Sequence, residues 1–230
     1  MVTDLTWWYG RRGRPRGRPC RDGFKEVTVR DYDGKTAVER VAERRERLID
    51  AGVELFGERG YAATSIRSVL QQSGLRDRYF GESFADLDSL LAAVYSRLID
   101  EEVSGCAAAI DKTNGGSEGA RAMIDTITRS FEKDPGKARI KSREVLSGGP
   151  VAREQRRAGL RRLAQLVGDL LPSSTTLKQS DVLLLGLGIV AAADELLMTW
   201  MDSPAGMTRD RVVDVVMLLF DATAHHISST

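Results

Sequence analysis

The side chains best equipped for chemistry in this chain are crowded into twenty residues. Thr64, Ser65 and Arg67 stand at the start of one short helical stretch, and Arg76, Asp77, Arg78, Tyr79 and Ser83 follow in the next. If Leu75, Phe80 and Phe84 turn inward, Arg76, Arg78, Tyr79 and Ser83 point out. A guanidinium matches the two acceptors on the major-groove edge of guanine. Tyr79 offers a hydroxyl to phosphate and a ring to a thymine methyl. Asp77 can accept from cytosine or pair with a neighbouring arginine; the pairing is the simpler expectation. Backbone N–H groups at a helix start attract phosphate, and Thr64, Ser65 and Arg67 add hydroxyls and a charge there. This is equipment for double-stranded DNA.

The elements that must hold these groups are legible around them. Val38, Val41, Leu48, Ala51, Gly52, Leu55 and Phe56 recur at three- and four-residue steps, the mark of one helical face. Glu39, Arg40, Glu43, Arg44, Glu46 and Arg47 make a mixed solvated face opposite. Gly60 suits a left-handed cap that ends this helix. Thr64 or Ser65 caps the next, whose stripe is Ile66, Val69 and Leu70, and Gly74 ends it. A third helix is expected from Leu75 to Phe84. Three short helices with a glycine turn between the last two form a helix-turn-helix, which presents its final helix to the major groove.

Downstream, Asp86 is a good N-cap for a helix over 87–110, which the loop Asn114-Gly115-Gly116-Ser117 closes. Further helices are predicted near 118–133, 136–147, 151–171, 180–202 and 208–227. Proline and glycine punctuate them at Pro135, Gly148-Gly149-Pro150, Pro172 and Ser203-Pro204. No stretch alternates with period two, and no internal repeat is visible. The expected class is all-α: a three-helix helix-turn-helix followed by a six-helix bundle. The boundaries are 1–36 for a basic arm without apolar period, 37–85 for the helix-turn-helix and 86–230 for the bundle.

Bulk charge says little, since 34 Lys and Arg face 33 Asp and Glu for a net +1. Its distribution says more. Six arginines lie between Arg11 and Arg21 with no acid among them, a local electrostatic footprint. They include Arg12-Gly13-Arg14-Pro15 and Arg16-Gly17-Arg18-Pro19. This repeated R-G-R-P resembles an AT-hook, in which arginines such as Arg14 and Arg18 enter a narrow A·T minor groove. A generic basic arm that raises affinity without reading sequence is the equal alternative.

The order LFGERGYAATSIRSV, with Ala51, Leu55, Phe56, Gly60, Tyr61, Thr64, Ser65, Ile66, Val69, Gly74, Phe84 and Leu90, resembles the TetR family of bacterial transcription regulators over residues 45–95. The segment RDRYFGESFADLDSLL is similar to the recognition helix and following turn of one branch of that family. ELLMTWMDSP, near the end, looks like the family's eighth helix.

The resemblance implies a ligand-responsive regulator, a repressor that binds a palindromic operator as a homodimer and is released by a small-molecule effector. It implies DNA contacts from Thr64, Ser65, Arg67, Arg76, Arg78, Tyr79 and Ser83. It also implies that the last two helices, 180–202 and 208–227, pair with a second copy. Where the family usually carries a phosphate-binding tyrosine, this chain has Gly81, and a frequent lysine near Leu87 is missing.

Other classes find little support. The chain has no G-x-S-x-G, phosphate loop or H-E-x-x-H, so no catalytic residue is named. Cys20 and Cys106 stand alone, and His225 and His226 lack ligand partners at metal spacing, so neither metal nor cofactor is expected. The apolar run Val182–Ala193 falls short of the ~20 residues a bilayer span needs, and a cytoplasmic protein without membrane contact is expected. Asp194 and Glu195 follow that run as two exposed acids or as pocket-lining groups; exposure is the simpler expectation. The basic residues between Lys137 and Arg162 suit an acidic ligand, flanking DNA or a solvated helical face; the solvated face is the simpler expectation. An architectural DNA protein acting through the R-G-R-P arm without effector is the main alternative.

Overall fold

The computed structural model describes residues 36–173, 177–203 and 206–229. Arg14, Arg18 and the rest of the R-G-R-P arm lie outside the described residues. The described chain runs through α1 (Ala37–Arg59), α2 (Ile66–Ser73), α3 (Asp77–Ser83), α4 (Leu87–Ile110), α5 (Gly116–Lys133), α6 (Pro135–Ser142), α7 (Pro150–Leu170), α8 (Gln179–Asp202) and α9 (Arg209–Ser228). No strand occurs among the described residues, and the all-α class holds.

Local chemistry accounts for most of the ends. Gly60 sits at φ 85° and Gly74 at φ 66°, in the left-handed region that a side chain resists. Ser65 is the cap of α2: its hydroxyl accepts from the Ser68 N–H at 3.2 Å, while the Ser68 hydroxyl accepts from the Ser65 N–H at 3.0 Å. Asp86 and Ser89 make the same reciprocal pair at α4.

Four expectations are corrected. Val38 and Val41 are exposed, Val38 at 78%, because the first turns of α1 run past the body that buries Leu48, Leu55 and Phe56. Ile66 is exposed at the open start of α2, where only Val69 and Leu70 reach the core. The third helix starts at Asp77, with Arg76 extended at its N-cap, rather than at Leu75. The helix expected over 136–147 breaks at Ser142; Arg143 leaves helical geometry and a turn of 3-10 helix follows over Glu144–Ser147.

Phe56, Leu90, Leu91, Val94 and Tyr95 join the foot of α1 to α4, so the helix-turn-helix and the bundle share one core. Two polar links reinforce that joint. Asp88, in the first turn of α4, accepts from the N–H groups of Gly149, Val151 and Ala152 at 2.7, 3.0 and 3.4 Å, capping α7 from another helix. Glu144 accepts from the Tyr61 N–H at 2.7 Å and from Arg139 Nε at 2.9 Å, and so ties the end of α6 to the turn between α1 and α2. Farther on, α7 and α8 pack backbone to backbone at Gly186, where an added methyl would clash with the Ala164 carbonyl oxygen.

Candidate DNA interface and effector cavity

The third helix is short, and its rotation is set by two aromatic rings. Phe80 and Phe84 are buried and tilted against each other at 5.8 Å, while Leu75 is only half-buried. Arg76 and Arg78 are therefore fully outside, with Tyr79 and Ser83 at the edge. Among the described residues Asp77 has no arginine at ion-pair distance, so the pairing expected of it is absent. Arg78 instead donates from Nη2 to the Tyr79 hydroxyl at 2.6 Å and lies over its ring. That hydrogen bond holds the Tyr79 phenol below the usual tyrosine range.

The Tyr79 ring also meets a guanidinium from α1. Arg44 stacks on it at 4.5 Å and pairs with Glu82 at 3.1 Å. Arg45 stacks on Phe84 at 4.3 Å and donates to the Ser83 carbonyl at 2.8 Å. These contacts brace α3 against α1 with guanidinium groups, which tolerate both an aromatic face and a wet edge. The sequence reads Arg44 as solvated charge and does not single out Arg45. The signal that distinguishes them, a partner 38 residues away, is not local.

The start of α2 divides its three candidates. Ser65 and Arg67 are exposed. Thr64 is 7% exposed, and its hydroxyl donates to the Gly60 carbonyl at 2.8 Å. It stabilises the turn from a buried position, unlike the exposed Ser65 and Arg67. Gly81 is exposed on α3 and a methyl added there would touch nothing within 4 Å. Gly81→Ala should therefore stabilise the protein by about 0.5–1 kcal/mol through helix propensity alone. Thermal unfolding of the two proteins measures this; a lower melting temperature for the variant would contradict the helical placement of Gly81.

A second site lies inside the bundle. A narrow cavity opens between α4, α5, α7, α8 and α9, with about 750 Å³ of empty space counted out to its open side. Its wall is almost wholly apolar, with Tyr95, Met123, Phe131, Leu163, Val190 and Phe220 prominent. Three charged side chains interrupt it at Glu102, Lys141 and Asp194.

Asp194 is no exposed acid, contrary to expectation. It accepts from Arg156 at 3.0 Å and from the Ser142 hydroxyl at 3.3 Å, and burial raises it above the usual carboxylate range even though Arg156 opposes the shift. Glu195, next to it, is exposed. Lys141 and Glu102 form an ion pair, their side chains only 7% and 8% exposed. Desolvation draws the Lys141 ammonium down to about 8, against the pull of Asp194 and Glu101. The sequence did carry a signal for Lys141: Ala138, Lys141 and Val145 follow the inward steps of the segment.

Cys106 is buried and its thiol is pushed up to about 12 by desolvation, which leaves it chemically inert. Among the described residues no group of side chains is arranged to hold a metal ion.

Comparison with known proteins agrees with this geometry. The family model of bacterial regulatory proteins of the tetR family matches residues 48–94. The chain is 23% identical over 172 residues to the HTH-type transcriptional activator FasR of Mycolicibacterium smegmatis, covering 75% of this chain and 78% of that protein. In fold it is similar to the transcriptional regulator FadR of Bacillus subtilis in complex with stearoyl-CoA: TM-score 0.64, 17% identity, 76% of this chain and 97% of that one. It is likewise similar to a transcriptional regulator of Rhodococcus sp. Rha1, with TM-score 0.65, 18% identity and 79% and 96% coverage.

Proposed function

We propose that this TetR-family regulator of transcription binds a palindromic operator as a homodimer and is released from it by a small-molecule effector with a long apolar part. The observation that carries the reading is one fold with two sites: an outward helix bearing Arg76, Arg78 and Tyr79, and an apolar cavity inside the bundle that α6 and α4 link to it. The FadR structure is a complex with stearoyl-CoA, which supports an acyl chain as the apolar part.

A single helix-turn-helix contacts too few bases for tight binding, and a two-fold dimer doubles them. The described helices offer a surface for it. α8 is apolar enough by composition alone to cross a membrane, with mean hydropathy 1.9, yet only 22% of that window is buried. Leu184 and Leu185 on α8, with Leu218 and Leu219 on α9, stand in solvent. Asp181, Asp194, Glu195 and Asp202 on the same helix argue against lipid. A second copy laid against α8 and α9 covers the apolar side chains and satisfies two-fold symmetry.

Coupling follows from the joint between the halves. The cavity wall includes Lys141 on α6, and three residues later Glu144 grips the turn that leads into α2. Effector that favours a shifted α6 favours displaced reading heads. Operator affinity then falls by the difference in its binding to the two states.

The test is direct. The purified protein should retard a palindromic duplex from its own promoter region, with half-sites about 34–36 Å apart, and lose affinity steeply as salt rises. An acyl-CoA should weaken that complex. Failure to retard such DNA at low salt would sink the reading. Activation is the second reading, favoured by the name of the FasR relative; transcription in vitro from the operator-bearing promoter separates the two. Removing residues 1–36 should weaken operator binding without abolishing it, whereas an architectural protein working through the arm would lose it altogether.

A further inference from the structure

The Lys141–Glu102 pair has an unusual position. Both side chains line the apolar cavity, and both also line a second, polar pocket on the surface between α4, α5 and α6. That outer pocket holds about 480 Å³ of empty space, again counted to its open side, and its wall includes Glu101, Thr126, Ser130 and Lys137. The ion pair is thus the partition between an apolar chamber and a polar mouth. On the chamber side the Phe131 ring lies 4.6 Å from the Lys141 ammonium.

A buried ion pair is a weak device for stability. Desolvation of both charges offsets their attraction, and two apolar side chains of the same volume would hold the helices as well. A retained pair at a boundary between two cavities calls for another account. Lys141 presents three donor protons, and Glu102 leaves it little competition from water. An incoming acceptor oxygen could take the place of Glu102. The freed carboxylate then faces the outer pocket, where Lys137, now paired with Glu101 at 3.1 Å, supplies positive charge.

We infer that the effector is an acyl amphiphile whose carbonyl oxygen displaces Glu102 from Lys141, with its chain in the inner chamber and any further polar part in the outer pocket. The inference rests on the reading of the inner cavity as the effector site. It adds which end of the molecule is recognised and by what. The carbonyl belongs either to the carboxylate of a free fatty acid or to the thioester of an acyl carrier. Lys141 also shares α6 with Arg139, the partner of Glu144, so the group that recognises the acyl head stands next to the link with the reading head.

The experiment is calorimetric titration of the full chain with tetradecanoate, tetradecanoyl-CoA and tetradecanol, which share a chain and differ at the head. The wild-type protein should bind at least one carbonyl probe about ten-fold or more tightly than the alcohol. Tighter binding of the acid or of the thioester assigns the source, and either supports the inference. Glu102→Gln should strengthen carbonyl binding, because the internal competitor has lost its charge. The double variant Glu102→Gln/Lys141→Met, which leaves no buried charge unpaired, should bind the alcohol within about three-fold of wild type and show no preference for the carbonyl probes. Equal binding of all three probes by wild type, or a preference that survives in the double variant, would overturn the inference while leaving the cavity as effector site. No binding of any probe to wild type would overturn both.

Discussion

Replacing Arg78 and Tyr79 together by alanine should cost the operator complex about 2–6 kcal/mol, since each half-site loses contacts worth about 1–3 kcal/mol. The physical ground is the arrangement of the two side chains. Arg78 is exposed and hydrogen-bonded to Tyr79, and both Arg78 and Arg44 stack on the Tyr79 ring. The free protein thus holds both groups in a fixed cluster and surrenders little rotamer freedom on binding. The loss should fall on sequence preference. Affinity for scrambled duplex, which the proposed phosphate contacts of Ser65, Arg67 and the basic arm would set, should change much less, and its salt slope should drop by little. Anisotropy titrations of operator and scrambled DNA at several salt concentrations measure both quantities. An unchanged ratio of the two affinities would show that the third helix does not read bases. Phe80 and Phe84 carry the core packing, so the double variant should keep its melting temperature within a few degrees.

Charge placed on the outer face of the last two helices should have an effect as large by a different route. Leu184 and Leu218 are 63% and 68% exposed, on neighbouring helices that pack against each other. Leu184→Glu with Leu218→Glu sets carboxylates at the proposed two-fold interface, where each would face its own copy or a close neighbour. Burying an unpaired carboxylate costs several kcal/mol, and like charges across the axis add to that. The expected product is a folded monomer by sedimentation or light scattering, with the helical content of the parent. Its operator affinity should fall by about a thousand-fold or more, because the second half-site no longer comes tethered to the first. A variant that remains dimeric would move the interface elsewhere on the bundle. The two experiments are independent: the first removes the proposed reading groups and leaves α8 and α9 untouched, and the second leaves those groups in place and disrupts the proposed dimer.

The cavity and the helix-turn-helix differ in how far each was visible before the fold. Ser65, Asp86, Gly60 and Gly74 act within four residues of themselves, so spacing alone placed them correctly. The outward set on the third helix also followed from spacing, because two phenylalanines suffice to orient seven residues. Lys141, Glu102 and Asp194 were missed as a cluster. Their partners lie 39 residues apart for Lys141 and Glu102, and 38 for Asp194 and Arg156. Asp88 sits in the first turn of α4 and was not singled out from the sequence, because its work is done at the start of another helix 61 residues on.

By itself, then, the order of residues determined most of the helices, their caps, the turn and the outward side chains of the third helix, since backbone hydrogen bonding and the 3.6-residue repeat act over one or two turns. Which apolar residues of the last two helices are core and which are surface was decided only by packing. Val212, Val216 and Phe220 went inward against α5 and α8, while Leu184 and Leu218, equally apolar, were left outside. The same holds for the charges on the cavity wall. A helix reports its own faces, but which face meets a neighbour depends on the crossing of long helices, and that is a property of the whole bundle.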